Sequence, residues 1–104
     1  MNKKVRMYDV TVRNGYGERH EIVPGVSKAQ LKPKFRSEHD SVPNIDFIGW
    51  ADVSVLFSSR DDYAFEMNCG DITKSFQFGD RGFSFLNDQF QEEIENTKFP
   101  DDFQ

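Results

Sequence analysis

Cys69, His20 and His39 are the side chains of this chain best suited to nucleophilic or acid–base chemistry, and their sequence surroundings supply little of what it needs. A nucleophile requires a base within hydrogen-bond reach. Cys69 sits in Asn68-Cys69-Gly70-Asp71, which reads as a turn with no histidine near it. It is the only cysteine, so an intramolecular disulfide and a thiolate zinc cluster are both excluded. His20 adjoins Glu21 on an expected strand, and His39 lies between Glu38 and Asp40 in a polar loop. Each is expected to be a solvated or hydrogen-bonded histidine rather than a general base.

A metal site needs clustered ligands at suitable spacing. Glu38-His39-Asp40 is too short to wrap an ion. Asp61, Asp62 and Asp80 are expected on loops that leave one end of a sheet, with Arg60 and Arg81 near them, and read as solvated turns. Gly79-Asp80-Arg81-Gly82 has the glycines of a phosphate cradle but neither the dinucleotide fingerprint nor the Lys-Ser/Thr of a P-loop. The chain is therefore expected not to be an enzyme, and no cofactor or metal is expected.

Two residue groups suit binding instead. Lys28, Lys32, Lys34 and Arg36 surround Phe35, a pattern that could touch phosphates and stack a base. So few cations are weak against a net charge of −5, which makes direct nucleic-acid binding the alternative reading. The second group lies in an unusually long alternation. Ile45, Phe47, Gly49, Ala51, Val53, Val55 and Phe57 are all odd-numbered and small or apolar, which predicts one long strand with a bulge or bend at Gly49. If the odd positions face a core, Ile48, Trp50 and Leu56 point the other way beside Asp46, Asp52 and Ser54. Large apolar groups with an acidic rim are the composition of an interface core, and Trp is the residue type most enriched among binding hot spots.

The elements that would carry these groups follow from period and punctuation. Val5–Val12 alternates, Asn14-Gly15-Tyr16-Gly17 signals a hairpin, and Glu18–Val23 pairs back before Pro24-Gly25. Ser27 and Gln30 have capping-box spacing, and Val26 and Leu31 that of a hydrophobic staple, ahead of a helix expected to be short or broken at Pro33. After the long strand come Tyr63–Met67 and Ile72–Phe78. Phe83, Leu86, Phe90 and Ile94 then draw the stripe of an amphipathic helix that ends before Pro100, with Asp88, Glu92, Glu93 and Glu95 on its other faces. The expected fold is α+β: an antiparallel sheet of about five strands in the order ββαβββα, with the C-terminal helix packed on one face. Residues 1–104 are expected to form one domain with a short frayed tail at 100–104, and Phe47, Phe57, Phe65, Phe76, Phe78, Phe83 and Phe90 supply the expected core.

Composition narrows the class of function. Eleven phenylalanines stand against three leucines, and aromatic side chains build small cores and adhesive surfaces alike. Residues 1–40 carry nine Lys or Arg and five Asp or Glu, hence +4; residues 41–104 carry four and thirteen, hence −9. No stretch approaches the ~18 apolar residues of a membrane span, and Met-Asn-Lys-Lys-Val-Arg lacks the apolar run of a signal peptide. A cytoplasmic location without membrane attachment is expected. Small size, acidity and a missing catalytic inventory are shared by immunity proteins, antitoxins and phage-encoded anti-defence inhibitors such as anti-CRISPRs, a likeness of composition alone. The expected function is a protein-binding module that occupies a basic or nucleic-acid-binding surface of a larger protein such as a nuclease, with Ile48, Trp50 and Leu56 as anchors and Asp61, Asp62, Asp80 and the helix carboxylates as phosphate mimics. The alternative is a structural or assembly subunit that forms homodimers or larger homo-oligomers.

Overall fold

Alternation along residues 5–12 and 45–57 lays two long strands side by side, and the rest of the sheet is built outward from them. The computed structural model describes residues 3–97. It contains β1 (Lys4–Asn14), β2 (Gly17–Gly25), α1 (Lys28–Phe35), β3 (Ser41–Phe57), β4 (Tyr63–Cys69), β5 (Ile72–Phe76), α2 (Phe83–Gln89) and α3 (Gln91–Asn96). One five-stranded sheet has the order β2-β1-β3-β4-β5, and every neighbouring pair is antiparallel. This is the α+β architecture that the sequence pattern predicts. The expected tail at 100–104 lies outside the described residues.

The decisive irregularity is in β3. Met7 faces Gly49 and Tyr8 faces Phe47, so Ile48 is an extra residue without an opposite number. A bulge of this kind exchanges the faces to which alternate residues point. Before it, Ile45 and Phe47 share the face of Val10 and Tyr8; after it, Ala51 and Gly49 share the face of Val5 and Met7. The odd-numbered side chains of β3 therefore do not all look toward the C-terminal helices, contrary to the expectation from alternation.

Two cores result, one on each side of the sheet. Val5, Met7, Ala51, Val53, Phe65, Met67 and Phe76 pack against Phe83, Leu86 and Phe90 of the C-terminal helices. Tyr8, Val10, Val12, Val23 and Ile45 pack against Leu31 and Phe35 of α1. Phe35 thus belongs to a core that the sequence pattern did not assign it to. Phe47 and Phe78, expected inside, are 46% and 90% exposed. Phe47 is turned outward by the bulge, and β5 ends at Phe76, before alternation can place Phe78.

Local signals set the helices. Ser27 Oγ accepts from the Gln30 amide at 3.1 Å, and Gln30 Oε1 accepts in return from the Val26 amide at 3.1 Å. The staple does not form as expected: Val26 stays exposed, and Leu31 packs where a Cβ on Gly25 would lie only 2.8 Å from it. Pro33 lies within α1, which continues two residues beyond it. The missing donor would have served the carbonyl of exposed Ala29, which water can satisfy. The C-terminal helix divides at Phe90, whose φ of −115° and ψ of 18° separate α2 from α3. The Lys3 ammonium donates to the Gln89 carbonyl at 2.7 Å, at the negative end of α2. In the first hairpin the two-residue loop is Gly15-Tyr16, closed by Asn14 Oδ1 accepting from the Tyr16 amide at 2.8 Å.

The loop from β5 to α2 runs round the outer edge of β2. A Cβ on Gly82 would sit 2.8 Å from Pro24 Cδ and 3.2 Å from the Phe76 ring. Strands at opposite ends of the sheet order are brought together here, around a cavity of 140 Å³ lined by Ile22 of β2 and Phe76 of β5. The sheet is therefore strongly curled, with α2 and α3 inside the curl.

Candidate protein-docking surface

α1 covers only part of its side of the sheet, because it is eight residues long and packs on β2 and the first half of β3. Beyond it the same face carries Trp50, Asp52, Ser54 and Leu56 of β3, flanked by Arg6 on one side and by Ala64, Glu66 and Asn68 on the other. Trp50 is 52% exposed and Leu56 47% exposed. The expected outward placement of these two residues is therefore found. Ile48 is not with them: as the bulge residue it is half-buried and packs against the core under α2.

Phe47 takes the place that Ile48 was expected to fill. Its ring meets Trp50 edge-on at 6.4 Å between centroids and Tyr8 at 5.5 Å. The Arg6 guanidinium lies over the indole at 4.9 Å and also donates to the Val26 carbonyl. Trp50 is consequently held in one orientation while half of it remains in water, the state of a preorganised anchor. The sequence signal for Phe47 is Gly49 directly after Ile48, a bulge marker, since a bulge there puts Phe47 on the face opposite to Gly49 and Ala51.

The carboxylates divide between surfaces. Asp52 lies beside Trp50 on β3, 4.0 Å from the Lys4 ammonium, and Glu66 accepts from Asn68 at 3.3 Å. Asp61, Asp62 and Asp80 are exposed. Their loops leave the same end of the sheet, as the pairings Phe57 with Tyr63 and Phe65 with Phe76 require. The Asp80 carboxylate accepts from the Gln77 amide at 2.7 Å and so organises its own turn. Asp88, Glu92 and Glu95 are exposed and Glu93 half-buried on α2 and α3. Those helices pack on the other side of the sheet from Trp50, so one flat interface centred on the indole does not include them.

Lys28, Lys32, Lys34 and Arg36 are all exposed. Phe35, however, is buried beneath the Arg81 guanidinium, 4.3 Å from its ring, and cannot stack on a base. Arg81 also donates to the Lys34 carbonyl at 2.9 Å and pairs with Glu21 at 3.3 Å. Between α1 and the start of β3 runs a groove of 260 Å³, lined by Lys28, Ala29, Lys32, Val42, Pro43, Asn44 and Ile45.

The chemistry-bearing residues remain apart. His20 Nδ1 lies 3.2 Å from Asp9 and 3.3 Å from the Thr11 hydroxyl, and its Nε2 lies 3.9 Å from Glu18, so the exposed ring sits among strand residues with no nucleophilic cysteine beside it. His39 is exposed, 4.0 Å from Glu38. Cys69 packs against Gly49, where an added Cβ would lie 2.9 Å from its sulfur. Among the described residues no group of three or more His, Cys, Asp or Glu side chains is placed to hold a metal ion, and no helix is long and apolar enough to cross a membrane. Comparison with protein-family models, with curated proteins and with solved structures found no match to this chain.

Proposed function

We propose that this chain is a small acidic protein-binding module, of the kind that inhibits a larger protein by occupying its basic or nucleic-acid-binding surface. The observation that carries the reading is the Trp50–Phe47 pair, ordered by Arg6 and half exposed on the part of the sheet face that α1 leaves open. Large, rigid aromatic groups of this kind supply contact area at low entropic cost. Asp52 and Glu66 on the same face, with Asp61, Asp62 and Asp80 at its end, offer the negative potential that a basic surface meets and that speeds association. Affinity capture from the source cell with the wild-type chain and with Trp50→Ala, at low and high salt, tests the reading. A basic protein retained by the wild type, lost with Trp50→Ala and weakened by salt is the expected result. Equal recovery with both chains would overturn it.

A second reading rests on α1. Its three lysines and the Arg36 that follows it are exposed and, among the described residues, none enters an ion pair. Salt-dependent retention on immobilised RNA or DNA, lost in Lys28→Ala/Lys32→Ala, would favour it. With Phe35 buried it lacks the stacking platform of single-strand binders.

A further inference from the structure

Trp50 and Asp52 are alternate residues of β3, on one face of the sheet and about 7 Å apart along the strand. Each has a cation opposite it on β1. Arg6 lies over the indole, whereas Lys4 reaches the Asp52 carboxylate only at 4.0 Å. Both side chains of that second contact are more than half exposed, so it holds the carboxylate weakly. On the β4 side Asn68 stands opposite Asp52 with both polar atoms engaged elsewhere. Its amide donates to Glu66 at 3.3 Å, and its carbonyl accepts from the Thr73 hydroxyl at 2.7 Å. Asp52 therefore keeps acceptor positions open beside an indole that is half in water.

That combination selects among the groups a partner could present. An apolar side chain set on Trp50 would take water from Asp52 and return no hydrogen bond. A carboxylate would meet like charge. A lysine ammonium is a compact, strongly hydrated point charge that serves either the ring or the carboxylate. A guanidinium is planar: it rests on the ring by its face while the N–H groups in its plane fork onto a carboxylate.

We propose that this surface takes an arginine side chain of the larger partner, stacked on the exposed half of Trp50 and paired with Asp52. The inference rests on the reading of Trp50 as a docking residue and names the group it receives. Arg6 leaves the carboxylate free, because its guanidinium is held by the indole and the Val26 carbonyl. Glu66, diagonal to Asp52 across the β3–β4 pair, adds negative potential to the same face.

The indole N–H of Trp50, the only tryptophan, gives one NMR signal that reports this seat in the intact chain. Titration with hexa-arginine amide should shift that signal saturably. Hexa-lysine amide, of equal charge, should bind at least about threefold more weakly. Asp52→Asn, at an exposed position, should weaken hexa-arginine by at least about threefold. Glu92→Gln, on α3 across the sheet, should leave its affinity unchanged. An unmoved indole signal, equal affinity for the two peptides, or wild-type binding by Asp52→Asn would overturn the proposal. So would a signal that moves on dilution of the chain alone, which would assign the surface to a second copy. If a basic protein is still captured through Trp50, those results strike the arginine seat and leave the docking surface standing. Capture that does not need Trp50 strikes the docking reading itself.

Discussion

The Arg81 guanidinium lies 4.3 Å from the centroid of the Phe35 ring, so a residue of the β5–α2 loop closes the core under α1 on the far side of the sheet. The same side chain donates to the Lys34 carbonyl near the C-terminal end of α1, a position where positive charge is favourable. One residue thus ties two separate cores together.

Arg81→Ala should lower unfolding free energy by about 1–2 kcal/mol, the worth of a partly desolvated cation–π contact and a charge-assisted hydrogen bond. In urea the midpoint should fall with an unchanged slope. Arg81→Lys should recover less than half of the loss, because an ammonium cannot lie flat on the ring while reaching Lys34. A full rescue by lysine would show that charge alone matters.

Gly82→Ala should cost about 2–4 kcal/mol. The backbone at Gly82 has φ +102°, which strains any other residue, and the new methyl would press on Pro24 and Phe76. Gly15→Ala, with open space round the added Cβ, is the control. Thermal melts that shift equally for both would contradict the packing.

Phe65→Ala and Phe78→Ala separate the buried aromatics from the exposed ones. Phe65 is fully buried between Tyr63, Phe83 and Phe90 and should cost about 3–5 kcal/mol. Phe78 is almost fully exposed, with one edge-on contact to Phe83, and its loss should cost under about 1 kcal/mol. Comparable destabilisation by the two would mean that β5 extends through Phe78.

Trp50→Ala should fold. Half of the indole is already in water, so its removal should cost about 1 kcal/mol or less, mainly the stacking with Arg6 and Phe47. Trp50 is the only tryptophan, so its fluorescence reports this surface alone. Acrylamide should quench the free wild-type chain readily. Strong protection in the monomer would place the ring in a core.

Strands, hairpin and helix starts were legible because their causes are local. Alternation in Val5–Val12, the turn residues at 14–17 and the Ser27–Gln30 reciprocity each lie within a few residues of their effect. The outward placement of Trp50 and Leu56 was legible on the same ground, since both lie on the C-terminal side of the bulge and keep one parity. Ile48, Phe47 and Phe35 were not. Which way a side chain points after a bulge depends on the residue opposite it, and Ile48 is unopposed only because Met7 and Tyr8 take Gly49 and Phe47. Phe35 is covered by a guanidinium 46 positions away in the chain, brought there by the curl of the sheet. Local pattern determined the elements and their approximate ends; cross-strand register and long-range closure decided which aromatics became core and which became surface, because only those contacts select a face.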